Sequence, residues 1–371
     1  MYTSRKSSNT AKHALIHVLT LALFLMPGAR RVLASEQTPN EAGTMVLVLE
    51  DCDSDNDLST PPNGDIVSLL NSKGESIKKF YGLGISGCGF VSASEDGRYF
   101  IVFENVGKLT MYETSTKRVP WSLWMDIKSA VFANDMIYAV NAHNVFVIDK
   151  TGTIVKHARF GGLDIAVDTK HDCLWIVGLD VKKCDLDLKI DTRVKLTLDT
   201  VHTGGFSVDV NPDGSVWVAE QNVHHQYGSE NRLVKISSDG GILKKIDLDF
   251  SPIHLRIDKS DGGIWTTGRI KKRDFSKIGE EWPETVDELN ELVKTEIESF
   301  THKYDSEGNV IFEISEGGYS IELDPSDGSA WIAGKKNIWH YSAKGQNLGS
   351  FAGSYDGQKS LAIVPGKNQS N

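Results

Sequence analysis

Short runs in which apolar residues alternate with small or polar ones recur along most of this chain. Seven such segments, 90–94, 130–134, 164–168, 206–210, 253–257, 319–323 and 360–364, read as half-buried strands. All but the last lead, through a tight turn, into a more continuously apolar run. Two of these runs are Tyr99–Phe103 and Met136–Val140, and in the other four a Trp stands at a fixed place. Trp175, Trp217, Trp265 and Trp331 each come three residues after the turn Gly of an Asp- or Asn-led turn (Gly214, Gly262 and Gly328, with Asp172 in the first copy). Further strand pairs meet at Gly74, Gly152, Gly240, Gly308 and Gly345, where glycine supplies the positive φ of a hairpin turn.

A four-stranded unit repeating roughly every 40 residues, each with one inner alternating strand, predicts an all-β propeller. The unit count gives seven blades, with six as the alternative. The strand Ser360–Val364 has no second strand after it, and Met45–Leu49 has no inner strand before it. Pairing the two completes the first blade, closes the ring and removes two exposed edges.

Bulk properties narrow the partners. The chain has 371 residues, 40% hydrophobic and 24% charged, and a formal net charge of −10, which suits a globular protein and excludes nucleic acid bound through its phosphates. Residues 1–34 read as a signal peptide: Arg5, Lys6 and Lys12, then the apolar run Val18–Met26, the break Pro27-Gly28 and a small residue at Ala34. The run is too short to span a bilayer, so no integral membrane span is expected after cleavage. Removing that segment with its five basic residues (Arg5, Lys6, Lys12, Arg30 and Arg31) takes the net charge from −10 to −15. The expected organisation is signal peptide 1–34, linker 35–43, propeller 44–365 and tail 366–371, with export to a secreted or periplasmic location. Four cysteines permit two disulfides in such a compartment, Cys173–Cys184 within one hairpin and Cys52–Cys88 near the ring closure, with buried thiols as the alternative.

The repeated string of an apolar strand, Asp-x-x-Asp-Gly, an apolar residue and Trp, followed by a Gly-turned hairpin, resembles NHL-type propellers. It is similar also to virginiamycin B lyase-like and gluconolactonase-like propellers, over roughly residues 44 to 365. The resemblance implies a propeller whose activity is open between protein-binding scaffold, lyase and lactonase. The lyase and lactonase residue sets do not map cleanly onto this chain, so it assigns no catalytic residue.

One insertion, 274–300, interrupts the repeat. Val286, Leu289, Leu292, Val293, Ile297 and Phe300 recur at mostly helical spacing after Thr285, with Glu288 completing a capping box, so a surface helix is expected there.

Propeller chemistry sits at a channel mouth, on the loops that enter inner strands and leave second strands. Those loops carry Glu104, Asn105, His143, His202, Glu220, His224, His225, His254 and Arg269, with Gln221 and Tyr319 beside them. These are the candidate ligand-binding residues. His202, His254, Glu104 and Glu220 could instead converge on a divalent metal and serve a lyase or lactonase. The acidic loop Asp51–Asp57 resembles the front of a calcium loop but lacks its Gly and its final Glu. The leading expectation is a non-catalytic extracytoplasmic scaffold binding a protein or small ligand at the mouth; the alternative is a metal-dependent enzyme there.

Overall fold

The computed structural model describes residues 43–50, 66–81, 88–104, 107–196, 203–222, 231–274, 294–353 and 359–365, and these form seven antiparallel four-stranded sheets. The first sheet contains β1 (Met45–Glu50), β2 (Ile66–Leu70) and β3 (Ser76–Phe80). The second holds β4 (Cys88–Ala93), β5 (Tyr99–Glu104), β6 (Lys108–Glu113) and β7 (Trp121–Trp124). The third holds β8 (Ser129–Ala133), β9 (Met136–Val140), β10 (Val145–Asp149) and β11 (Ile154–Ala158). The fourth holds β12 (Asp164–Asp168), β13 (Cys173–Val177), β14 (Asp180–Asp185) and β15 (Ile190–Lys195). The fifth is β16 (Thr203–Val210), β17 (Val216–Asn222), β18 (Asn231–Ile236) and β19 (Ile242–Leu248). The sixth is β20 (Ser251–Ile257), β21 (Ile264–Asp274), β22 (Lys294–Tyr304) and β23 (Val310–Ile314). The seventh is β24 (Ser320–Leu323), β25 (Ala330–Ala333), β26 (Asn337–Tyr341) and β27 (Asn347–Ala352). The last strand, β28 (Lys359–Val364), pairs with β1 from Met45↔Val364 to Glu50↔Lys359 and becomes the inner strand of the first sheet.

The inner strands β28, β4, β8, β12, β16, β20 and β24 each touch the next, and β24 touches β28, so the sheets are the blades of a closed seven-bladed propeller. Seven blades, not six, are present, and the closure expected from the two unpaired terminal strands is observed. Because each blade presents an apolar face on both sides, the core is a ring of interblade clusters rather than one mass. Cys173, Trp175 and Val177 of blade four meet Val208, Val216 and Val218 of blade five, while the other face of blade four sends Leu174, Ile176 and Cys184 against Tyr138 and Val145 of blade three. Outer strands such as β27 alternate exposed and half-buried positions.

The four repeated Trp side chains are fully buried, and each has a cationic or imidazole partner directly across the β-ladder. Trp175 pairs with Lys183, Trp217 with Lys235, Trp265 with Lys303 and Trp331 with His340. The three ammonium groups lie 5.7, 5.7 and 5.4 Å from the ring centroids, and His340 stacks on Trp331 at 4.1 Å. Each Lys then reaches the following blade. Lys183, Lys235 and Lys303 donate to Ser238 O (2.8 Å), Ser306 O (3.5 Å) and Ala343 O (3.0 Å). All three carbonyls lie two residues before the positive-φ residue of the β-hairpin turn, Gly240, Gly308 and Gly345. The same place is capped in other blades by Lys78 on Ser115 O, Trp121 Nε1 on Lys150 O (3.0 Å) and Lys156 on Leu186 O (3.1 Å). An otherwise open turn carbonyl thus becomes the joint between one blade and the next.

Two expectations fail. Residues 294–300, expected to be helical, lie in β22 and pair with β21 from Asp274↔Lys294 through Gly268↔Phe300, so the described part of the insertion lengthens a hairpin. Cross-strand hydrogen bonding along an 11-residue partner overrides the helical spacing of the apolar residues; 275–293 lie outside the described residues. Cys173 and Cys184 are free. Cys184 stands opposite Leu174, one residue past Cys173, so the two thiols point to opposite faces of the sheet and join different clusters. Cys52 falls outside the described residues, so the Cys52–Cys88 expectation does too, as do the acidic loop at 51–57 and residues 1–42.

Candidate functional site

The inner strands enclose a cavity of about 720 Å³ along the propeller axis. Its wall is built by one repeated device. On most inner strands a polar residue near the N-terminal end accepts the backbone N–H of the next inner strand. Ser360 Oγ takes Val91 N (3.2 Å), Asp164 Oδ2 takes Val208 N (3.0 Å) and Ser207 Oγ takes Leu255 N (3.3 Å). His254 Nδ1 takes Ile321 N (3.1 Å) and Ser320 Oγ takes Leu361 N (3.3 Å). Inner-strand edges have no ladder partner toward the axis, and these side chains satisfy their N–H groups instead.

Two residues further along, blades five to seven carry charge. Arg256 Nε and Nη2 donate to Glu322 Oε2 (3.0 Å) and Oε1 (2.7 Å), and its Nη1 donates to Leu255 O (3.0 Å). Asp209 accepts Ile257 N (2.8 Å), Val210 N (2.7 Å) and Lys259 Nζ (2.8 Å). Asp164 is saturated: Ser129 Oγ (2.6 Å) and Ile165 N (2.9 Å) donate to Oδ1, while Ser207 Oγ (3.1 Å) and Val208 N donate to Oδ2. Burial holds Asp164 and Glu322 above the usual carboxylate range despite Arg256. For Asp209 burial is again the largest influence, but Lys259, Arg256 and the hydrogen bonds together outweigh it and hold the carboxyl low. Burial, aided by Arg256, pushes His254 well below the usual imidazole range. A neutral ring whose Nδ1 accepts Ile321 N carries its proton on Nε2.

The mouth at the start of the inner strands holds the remaining wall groups. Ser251↔Arg269 and His254↔Thr267 pairing puts Arg269 and His254 on one hairpin, and both line the cavity. Tyr319 lines it from blade seven. Its N–H donates to Ala333 O (2.8 Å), an approach that Gly318 permits, since a Cβ there would stand 2.2 Å from the same oxygen. Gln221 completes this side.

Of the residues singled out from sequence, His254 and Arg269 are brought together. The others described are not. Glu104 is buried at the end of β5, where Thr110 Oγ1 donates to it (2.9 Å) and Lys108 pairs with it (3.4 Å). Glu220 is buried on β17 and pairs with Arg232 across its own blade (3.1 Å). His143 is exposed and outside the cavity wall; its N–H donates to Asn141 Oδ1. Asn105, His202, His224 and His225 lie outside the described residues. Among the described residues no group of three His, Cys, Asp or Glu side chains converges to hold a metal ion. Sequence reasoning passed over Asp164, Asp209, Arg256 and Glu322. The readable signal was a polar residue at one equivalent place in successive inner strands, Ser129, Asp164, Ser207, His254, Ser320 and Ser360, followed two residues on by Asp209, Arg256 and Glu322 in three of them.

No protein-family model matches the chain, and no curated protein matches it. Among solved structures it is similar to a protein of unknown function from Bacteroides caccae, with 10% identity over 87% of this chain and 99% of the other and a TM-score of 0.46. No helix among the described residues is long and apolar enough to cross a membrane.

Proposed function

We propose that this propeller is a non-catalytic extracytoplasmic binding protein that holds a small ligand at the channel mouth beside Arg269, His254 and Tyr319. One observation carries the reading. The buried carboxylates of the axial wall, Asp164, Asp209 and Glu322, are engaged in joining blades, and exposed Glu95 stands at the opposite end after β4, whereas Arg269 and the Tyr319 hydroxyl have no hydrogen-bond partner among the described residues. A wall whose buried bases are occupied while the donors at this mouth stand open suits recognition better than proton abstraction.

The enzyme alternative asks Glu104, Glu220 and His254 to act together with His202, which lies outside the described residues; the three described ones do not converge. They belong to blades two, five and six; both carboxylates are paired within their own blades, and His254 gives Nδ1 to a backbone N–H. The repeated Asp-x-x-Asp-Gly and Trp strings support an NHL-type propeller as the subtype. The basic start, apolar run and small residue at Ala34 support export to a secreted or periplasmic location.

The test is a thermal-shift screen of small metabolites against residues 35–371 and its Arg269→Ala variant. A ligand at a hundred times its Kd adds about 2.7 kcal/mol of stability, several degrees of melting temperature. The reading expects at least one compound that stabilises the parent and not the variant. Compounds that stabilise both equally, or stabilisation by divalent metal alone, contradict it.

A further inference from the structure

The balance of donors and acceptors in the cavity wall defines what its ligand must bring. Asp164 receives four hydrogen bonds, Glu322 accepts one on each oxygen, and Asp209 accepts from two backbone N–H groups and one ammonium. Acceptors in the depth of the channel are therefore occupied, and Arg256 and Lys259 offset two of the three charges. The groups left open at the mouth are the Arg269 guanidinium, the Tyr319 hydroxyl, the Nε2–H of His254 and the Gln221 amide, a set richer in donors than in acceptors. Lys128, at the same mouth, pairs with exposed Asp126 (3.4 Å), so the two add no net charge and Arg269 is the cation there.

These donors come from two adjacent blades, and the ring of His254 and the backbone of Tyr319 are held by hydrogen bonds. His254 cannot turn its proton inward without losing the Ile321 N–H, and Tyr319 is anchored through Ala333 O. Arg256 uses three of its five N–H groups and leaves two. A guanidinium flanked by neutral N–H and O–H donors fits a group with several acceptor oxygens and negative charge.

We propose that the channel mouth between β20 and β24 is an anion site, taking the carboxylate or phosphate group of a small molecule on Arg269, Tyr319 and His254. This rests on the reading that the mouth is where ligand binds. It goes further in fixing the chemistry of the recognised group, in a protein whose net charge is strongly negative.

The experiment follows the His254 ring ¹⁵N resonances of residues 35–371 while acetate, inorganic phosphate or ethylammonium is added at constant ionic strength, with chloride as the balancing ion. The site predicts saturable shifts with acetate or phosphate, the tighter of the two naming the group, and none with ethylammonium. Arg269→Gln should weaken the binding about tenfold or more, and Tyr319→Phe should weaken it several-fold. Arg269→Lys should retain part of it. Saturation by ethylammonium but not by the anions overturns the anion assignment and leaves the mouth as a binding site. Silence toward all three probes overturns both. Equal anion response in the parent, Arg269→Gln and Tyr319→Phe places the anion elsewhere and also overturns the proposal.

Discussion

Arg256 of β20 grips Glu322 of β24 through two parallel hydrogen bonds, 3.0 and 2.7 Å, across the boundary between blades six and seven. Both side chains are mostly buried, so neither is well solvated without the other. Arg256→Met should therefore destabilise the fold by about 3 kcal/mol, and Glu322→Met by a similar amount. The double variant should recover much of the loss, because no charge is then left unpaired. Urea denaturation of the four proteins measures the coupling; additive losses would mean that the pair is not a unit.

The Lys-to-carbonyl joints differ in depth, and their removal should show it. Lys183 is half-buried and donates to Ser238 O, so Lys183→Met, which keeps the stem over Trp175, should cost only about 0.5–1 kcal/mol. Lys303 is 3% exposed and lies 3.5 Å from Asp258, which is equally buried. Lys303→Met removes the partner of a buried carboxylate and should cost about 3 kcal/mol. Equal losses at the two positions would contradict the distinction.

Acid should weaken the fold through some carboxylates and not others. Asp209 has a depressed folded-state pKa, so its stabilisation is present above the ordinary aspartate value and is lost as pH falls through the folded one. Glu322 is raised; its protonation favours the folded state, and it adds stability as pH falls rather than removing it. Stability measured between about pH 4 and pH 2 should fall less steeply in Asp209→Asn than in the parent. Glu322→Gln should not flatten the curve.

Burial pushes the Cys173 and Cys184 thiols up to about 11 and about 12. At pH 8 neither should react with iodoacetamide in the folded protein, and both should react in denaturant. Peptide mass spectrometry reads this directly. A Cys173–Cys184 linked peptide would contradict the placement of the two side chains on opposite faces.

Much of the ring was legible because each blade repeats a local signal. The Trp three residues after the turn, the Gly of the third hairpin and the orphan terminal strands all report short-range geometry or simple counting. What escaped depends on register and on neighbours far along the chain. A single residue of stagger separates Cys173 from the face of Cys184, and eleven cross-strand pairs convert the helical spacing ending at Phe300 into a strand. The site divided the same way. Arg269 and His254 announced themselves as rim residues, whereas Arg256 and Glu322 are 66 residues apart and look like ordinary polar strand positions until adjacent blades bring them together. From sequence, His254 is a candidate ligand-binding residue, with metal or acid–base work as the alternative. Its Nδ1 is an interblade acceptor, and the residue lines the axial cavity.

The measurement that bears most directly on the central claim is a crystal structure of residues 35–371 with the compound that shifts the melting temperature most. Ligand density is expected in the axial cavity between β20 and β24, with acceptor atoms within hydrogen-bond distance of Arg269 and Tyr319. Density on an outer blade face, with the mouth occupied only by solvent, would contradict it.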